Sequence, residues 1–175
     1  MPLESTMICL DNSEWMRNGD YNPTRLEAQN DAASMICTDR TGSNPENTVG
    51  VLSMAGRGVE LLVSPTEDPG KVLACFAKVA SAGKNDFCTA VQIAQLALKH
   101  RKNKNGGQRI VVFVGSPIQE DVAVLQKIGK QLKKNNVAVD VISFGELEDN
   151  NDKLSEFVNA TNSNDNWCVG FCGST

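Results

Sequence analysis

The sequence predicts an α/β protein built on a doubly wound, mostly parallel six-stranded sheet, with one antiparallel edge strand and helices on both faces. Three observations lead there. Apolar runs of roughly four to eight residues alternate with longer segments of helical period. Several of the runs are apolar on both faces, as in Ile110-Val111-Val112-Phe113-Val114, which suits a strand covered by helices on each side. One connection, Gly56-Arg57-Gly58 with a neighbour, permits only an antiparallel hairpin, because a parallel crossover needs about a dozen residues or more.

In chain order, strands are expected at 6–11, 48–54, 59–64, 109–115, 137–144 and 167–171. Asn22-Pro23 reads as an N-cap followed by proline at the first helical position, opening a helix to about Cys37. Asp68-Pro69 repeats the device ahead of a helix over 71–77. Residues 89–100 are apolar nearly all round, through Ala90, Val91, Ile93, Ala94, Leu96, Ala97 and Leu98, and are expected as a helix buried in the middle of the structure. Residues 120–135 are amphipathic, with Val122, Leu125, Ile128 and Leu132 inward and Lys127, Lys130, Lys133 and Lys134 toward water. These lysines crowd the carboxyl end, where the helix dipole favours them. A last helix over 152–160 buries Leu154, Phe157 and Val158. The resulting order is β-α-β-β-α-α-β-α-β-α-β, with no internal repeat. Ligands or partners of such sheets dock at the carboxyl ends of the strands, near the switch point, and Asp11 stands at such an end.

The 175 residues suit a single domain over 1–175. A net charge of −4 argues against polyanion binding by the whole chain, so a nucleic-acid role would need a local basic patch. "LKHRKNKNGGQR" supplies Lys99, Arg101, Lys102, Lys104 and Arg109. With no aromatic residue interleaved for base stacking, it reads as a solvated helix end and loop. The amino terminus has no secretory pattern, and no apolar run approaches the ~20 residues of a membrane span. The six cysteines, Cys9, Cys37, Cys75, Cys88, Cys168 and Cys172, form no C-x-x-C pair and are expected as buried free thiols in the cytosol or nucleus. The single histidine, His100, has no evident acid partner. No helix follows the Gly56-Arg57-Gly58 turn to make a phosphate loop. Nothing in these patterns builds an enzyme.

Asp11-Asn12-Ser13-Glu14-Trp15 resembles the Asp-x-Ser-x-Ser loop with which von Willebrand factor A (VWA) domains hold magnesium, except that Trp15 stands in the third place. Thr89 can fill the second-loop threonine role. After the fourth strand the chain reads Val114-Gly115-Ser116-Pro117-Ile118, with no carboxylate before Glu120. Magnesium demands near-octahedral oxygen ligation, so the pattern is read as a degenerate site, without metal or other cofactor, in which Asp11 accepts hydrogen bonds from loop N–H groups and from Ser13 or Thr89. Trp15 has two readings, a core residue or an interface anchor of the kind enriched in hot spots.

The strings "LDNSEWMRNGDY", "SNPENTVGVLSMAG", "QIAQLALKHRKNKN", "QRIVVFVGSPI" and "KKNNVAVDVISFGE" narrow this further. They resemble the VWA domain of the proteasome ubiquitin-receptor subunit family, the non-ATPase regulatory subunit 4 type, from Met1 to about residue 165. The resemblance implies a VWA-type fold and a non-catalytic role in the 19S regulatory particle: docking the receptor and helping to hold lid to base in ubiquitin-dependent degradation. Lid and base subunits are the implied partners, in cytoplasm and nucleus. Polyubiquitin would be captured by carboxyl-terminal ubiquitin-interacting helices, which are not expected in this chain because "AQLALKH" lacks their acidic run and serine. No nucleic-acid or membrane partner is implied. Asp11, Ser13, Trp15, Thr89 and Ser116 are the implied partner-binding residues. The alternatives are a metal-dependent ligand-binding VWA domain and a VWA module of a nuclear transcription or repair complex.

Overall fold

The computed structural model of the chain describes residues 2–161 and 167–171, the last five by their backbone path. Its elements are β1 (Glu4–Leu10), a single 3-10 turn (Glu14–Arg17), α1 (Arg25–Ser43), β2 (Thr48–Ser53), β3 (Glu60–Thr66), α2 (Pro69–Phe76), α3 (Phe87–Lys99), β4 (Gly107–Val114), α4 (Val122–Lys134), β5 (Val137–Phe144), α5 (Leu147–Thr161) and β6 (Trp167–Phe171). The six strands form one sheet in the order β3-β2-β1-β4-β5-β6. All neighbours run parallel except β2 and β3, the hairpin pair. The chain winds outward from β1 through β2 to β3, then returns to the other side of β1 for β4, so the switch point lies between β1 and β4.

Strand periodicity divides the core. Met7 and Cys9 point to one face with Val112, Phe87, Val91, Leu125 and Phe157. Ile8 and Leu10 point to the other, with Val111, Phe113, Cys37, Val72 and Phe76. Helices α3, α4 and α5 therefore cover one face and α1 and α2 the other. The rings of Phe87 and Phe157 meet edge to face at 5.1 Å and 85°, a geometry that contributes about 1 kcal/mol beyond its buried area. Gly129 lets α4 and α5 close together, since a Cβ there would meet Ala160 Cβ at 2.8 Å.

Four helix starts differ from the sequence reading, α4 among them, which opens at Val122 behind Asp121 and not at Glu120. Thr24, not Asn22, caps α1: its hydroxyl accepts from the Glu27 N–H, and Thr24-Arg25-Leu26-Glu27 has the spacing of a capping box. Asn22-Pro23 lies before the helix as a cis peptide. The far end of α1 runs past Cys37 to Ser43, where Thr38, Thr41 and Ser43 turn their hydroxyls back onto carbonyls one turn earlier. Asp86 caps α3, accepting from the Thr89 N–H, so the helix opens two residues before Thr89. Nor is α3 buried all round: Ala90, Val91, Ala94 and Leu98 are inside, whereas Leu96 is 55% exposed. Helix α5 begins at Leu147, with Glu148 and Asp149 in its first turn, where the dipole favours carboxylates. By contrast Asp68 caps α2 as read, accepting from the Gly70 N–H.

Cys9, Cys37 and Cys75 are buried free thiols and Cys88 is partly buried. Burial pushes the Cys75 thiol up to about 11 and the Cys88 thiol up to about 12, with Glu120 and Asp86 adding to the rise. The side chains of Cys168 and Cys172 lie outside the described ones. No helix among the described residues is long and apolar enough to cross a membrane.

Candidate functional site

The loops after β1 and β4 meet at the switch point, and Asp11 is their common acceptor. Its side chain is fully buried. Oδ1 accepts from the Ser13 N–H at 2.9 Å. Oδ2 accepts from the Gly115 N–H at 3.0 Å, the Ser116 hydroxyl at 2.6 Å and the Asn85 amide at 3.4 Å. Asn85 also donates to Ser116 Oγ at 3.1 Å. One carboxylate thus fastens three loops, each through neutral donors, and charge-assisted bonds of this kind are the stronger class.

The backbone of Asp11 is held as firmly as its side chain. Gln29, buried on α1, accepts from the Asp11 N–H and donates to the Asp11 carbonyl, both at 2.9 Å. It pairs as a further strand residue would. Asn12 accepts from the Ala55 N–H and donates to the Ala80 carbonyl. Asn150 accepts from the Ile118 N–H and donates to the Ser116 carbonyl. Buried carboxamides satisfy loop backbone that would otherwise cost about 1–3 kcal/mol per orphaned group.

Arg25 forms a second buried anchor, 3% exposed. It donates to the Gly115 carbonyl at 2.7 Å, to Asp20 through two nitrogens, and to Glu146 at 3.0 Å. The hydrogen bond from Arg25 holds the Asp20 carboxyl below its ordinary range, against a smaller opposing effect of burial. Gly145 makes room for the guanidinium: its φ is +85°, and a Cβ there would run into Arg25.

The residues singled out by sequence do not all converge. Asp11, Ser13 and Ser116 come together and are buried. Asp11 and Ser13, fully enclosed, have no surface to offer a partner. Thr89 lies on the first turn of α3, and its hydroxyl is not among the partners of Asp11; Asn85 reaches in from that loop instead. Trp15 is 49% exposed, on the 3-10 turn whose Met16 is buried. It borders a cleft of about 220 Å³ with Glu14, Lys84, Asn85, Ser116 and Gln119. Sequence reasoning missed Gln29 and Arg25. Their signal was the four-residue stripe Arg25, Gln29, Ala33, Cys37, the buried face of α1, in which two polar residues stand where apolar ones belong.

Residues 6–119 match the family described as von Willebrand factor type A domain. The chain is 57% identical over 166 residues to a 26S proteasome non-ATPase regulatory subunit 4 homolog of Oryza sativa subsp. japonica, covering 94% of this chain and 41% of that protein. It is 50% identical to the 26S proteasome regulatory subunit rpn10 of Schizosaccharomyces pombe, covering 94% of this chain and 68% of that one. The crystal structure of the SpRpn10 VWA domain superposes with a TM-score of 0.92 at 47% identity, over 98% of this chain and 89% of that chain. Fold and site geometry thus define a VWA domain. The chain belongs to the von Willebrand factor type A family and, within it, to the family of 26S proteasome non-ATPase regulatory subunit 4. It spans about two-fifths of the rice protein.

Proposed function

We propose that this chain is the docking domain of a non-catalytic subunit of the proteasome 19S regulatory particle. It attaches a ubiquitin receptor to lid and base subunits and helps stabilise their association during ubiquitin-dependent degradation, in cytoplasm and nucleus. Polyubiquitin itself is captured by helices outside this segment. The names of the relatives support the assembly, and the observation that carries the mode of action is the state of Asp11. Its oxygens are taken up by three loops' N–H and O–H donors, beside a half-exposed tryptophan. Asp11, Ser13 and Ser116 act as a brace that fixes the loops, while Trp15 and the rim of its cleft make the contact. Thr89 contributes through its N–H, which binds the Asp86 cap.

A metal-dependent reading has one observation in its favour: Ser13 Oγ and Asn85 Oδ1 are buried without a hydrogen-bond partner. Against it, the Asn85 amide nitrogen lies against the Asp11 carboxylate at 3.4 Å, where a cation would bind. The donor set does not fit a resident magnesium ion, which prefers carboxylates and waters in an octahedron.

The test is recovery of partners from a cell extract. Tagged chain should retain lid and base subunits, and Trp15→Ala should retain far less while melting at the wild-type temperature. Recovery of a transcription or repair complex instead, or equal recovery by Trp15→Ala, would overturn the reading.

A further inference from the structure

The opposite end of the sheet carries a second surface, about 20 Å away along the strands at their ~3.3 Å rise per residue. Between the carboxyl-terminal halves of α3 and α4 and the loop into β4 lies a groove of about 800 Å³, bordered by Gln95, Leu96, Lys99, Arg101, Lys104 and Gln131. None of its lining residues is acidic. The asymmetry is written into the sequence: the chain's net charge is −4, yet the stretch from Phe87 to Val139 holds nine basic residues against two acidic ones, Glu120 and Asp121. Both acids follow the carboxyl end of β4, away from the groove. Lys127 and Lys134, four residues before and three after Gln131, share its side of α4 and extend the positive field along the rim.

These cations are positioned but not neutralised. Arg101 directs its guanidinium to the carbonyls of Leu98, Lys104 and Gly106, and its buried Nε has no partner. The Lys104 ammonium binds the Lys99 carbonyl. Neither these two nor Lys99 forms an ion pair among the described residues. Arg109, from the same basic run, differs: Glu4 and Asp140 pair with it. Within the groove, Leu96 stands 55% exposed among glutamines that can bond a peptide backbone.

We propose that this groove binds an acidic peptide segment of a partner protein, with an aliphatic side chain seated on Leu96 and carboxylates facing Lys99, Arg101 and Lys104. Charge complementarity selects the class. The occupant is a peptide and not a nucleic acid because no aromatic side chain lines the groove for bases to stack on, while an apolar anchor and carboxamides are present.

The probe is a short fluorescein-labelled peptide of alternating glutamate and aspartate around a central pair of leucines, followed by fluorescence anisotropy. Lys99→Glu with Lys104→Glu should weaken binding at least about tenfold, and added salt should weaken the wild type in the same sense. Leu96→Ser should weaken it about fivefold, matching partial loss of one aliphatic contact. Arg57→Glu with Lys71→Glu, an equal charge change at exposed sites elsewhere, should leave binding unchanged. Each variant is first shown to melt as the wild type does. The proposal is overturned if the wild type does not bind the peptide, if the control pair weakens binding as much as the groove pair, if Leu96→Ser has no effect, or if a single-stranded oligonucleotide of equal charge binds more tightly through the same lysines. None of these outcomes bears on Trp15, so the two surfaces are tested separately.

Discussion

At the carboxyl end of the sheet, Asp11 and Arg25 are buried and fully engaged: one gathers donors from three loops, the other gathers two carboxylates and a carbonyl. At the amino end, Lys99 and Lys104 are exposed and have no carboxylate partner among the described residues. Burial explains the difference. A charge taken out of water must be paired and hydrogen-bonded or it costs several kcal/mol, whereas a solvated lysine costs nothing to leave unpaired and keeps its charge for an incoming molecule. In this molecule, buried charge builds the carboxyl-end loops, whereas Lys99 and Lys104 take no part in holding the amino end together through ion pairs with the described residues.

The comparison can be broken by removing charges from each end in turn. Asp11→Ala should cost most, about 3 kcal/mol, because it orphans the N–H groups of Ser13 and Gly115 and the Ser116 hydroxyl in a buried site. For a chain of this size that lowers the melting temperature by about 10 °C, readable by circular dichroism. Arg25→Ala should cost somewhat less, about 2–3 kcal/mol, because Asp20 and Glu146 are 37% and 23% exposed and water can reach the carboxylates left behind. Asp20→Asn should cost no more than about 1 kcal/mol at neutral pH, with a defined acid dependence. Arg25 lowers the Asp20 pKa in the folded state from its ordinary 3.8. The stabilisation is therefore complete above that value and lost as pH falls through the lower folded one. Wild type and Asp20→Asn should converge in acid; a gap that persists there would mean the ion pair is not its source. Lys99→Glu with Lys104→Glu should change stability least, within about 0.5 kcal/mol. A loss as large as that of Asp11→Ala would erase the distinction between the two ends.

The sheet was legible in the sequence because several of its strands are apolar on both faces and its one tight turn admits only a hairpin. All six strands lie where the pattern put them, within two residues at each end. Helix starts were less legible. Asn22-Pro23 has the form of an opening, but the capping box two residues on supplies the hydrogen bonds. For α3, apolar composition hid the direction of the face, since Leu96 looks inward by letter and outward by position. The site was half legible. Asp11 and Ser13 followed from a loop pattern that marks local neighbours, and Ser116, 105 residues from Asp11, from the family resemblance alone. Gln29, Asn85, Asn150 and Arg25 join it across 18 to 90 residues of chain, through contacts that only the folded sheet creates.

The central claim is that the Asp11 carboxylate is a structural acceptor saturated by the protein's own donors, and not an ion holder. Isothermal titration of the purified chain with magnesium chloride tests it most directly. The account predicts no saturable heat, or an affinity no tighter than about millimolar, at which a site of this kind contributes only ~4 kcal/mol or less of binding free energy. One-to-one binding at micromolar concentration, with release of the Asn85 amide from the carboxylate seen by nuclear magnetic resonance, would contradict it.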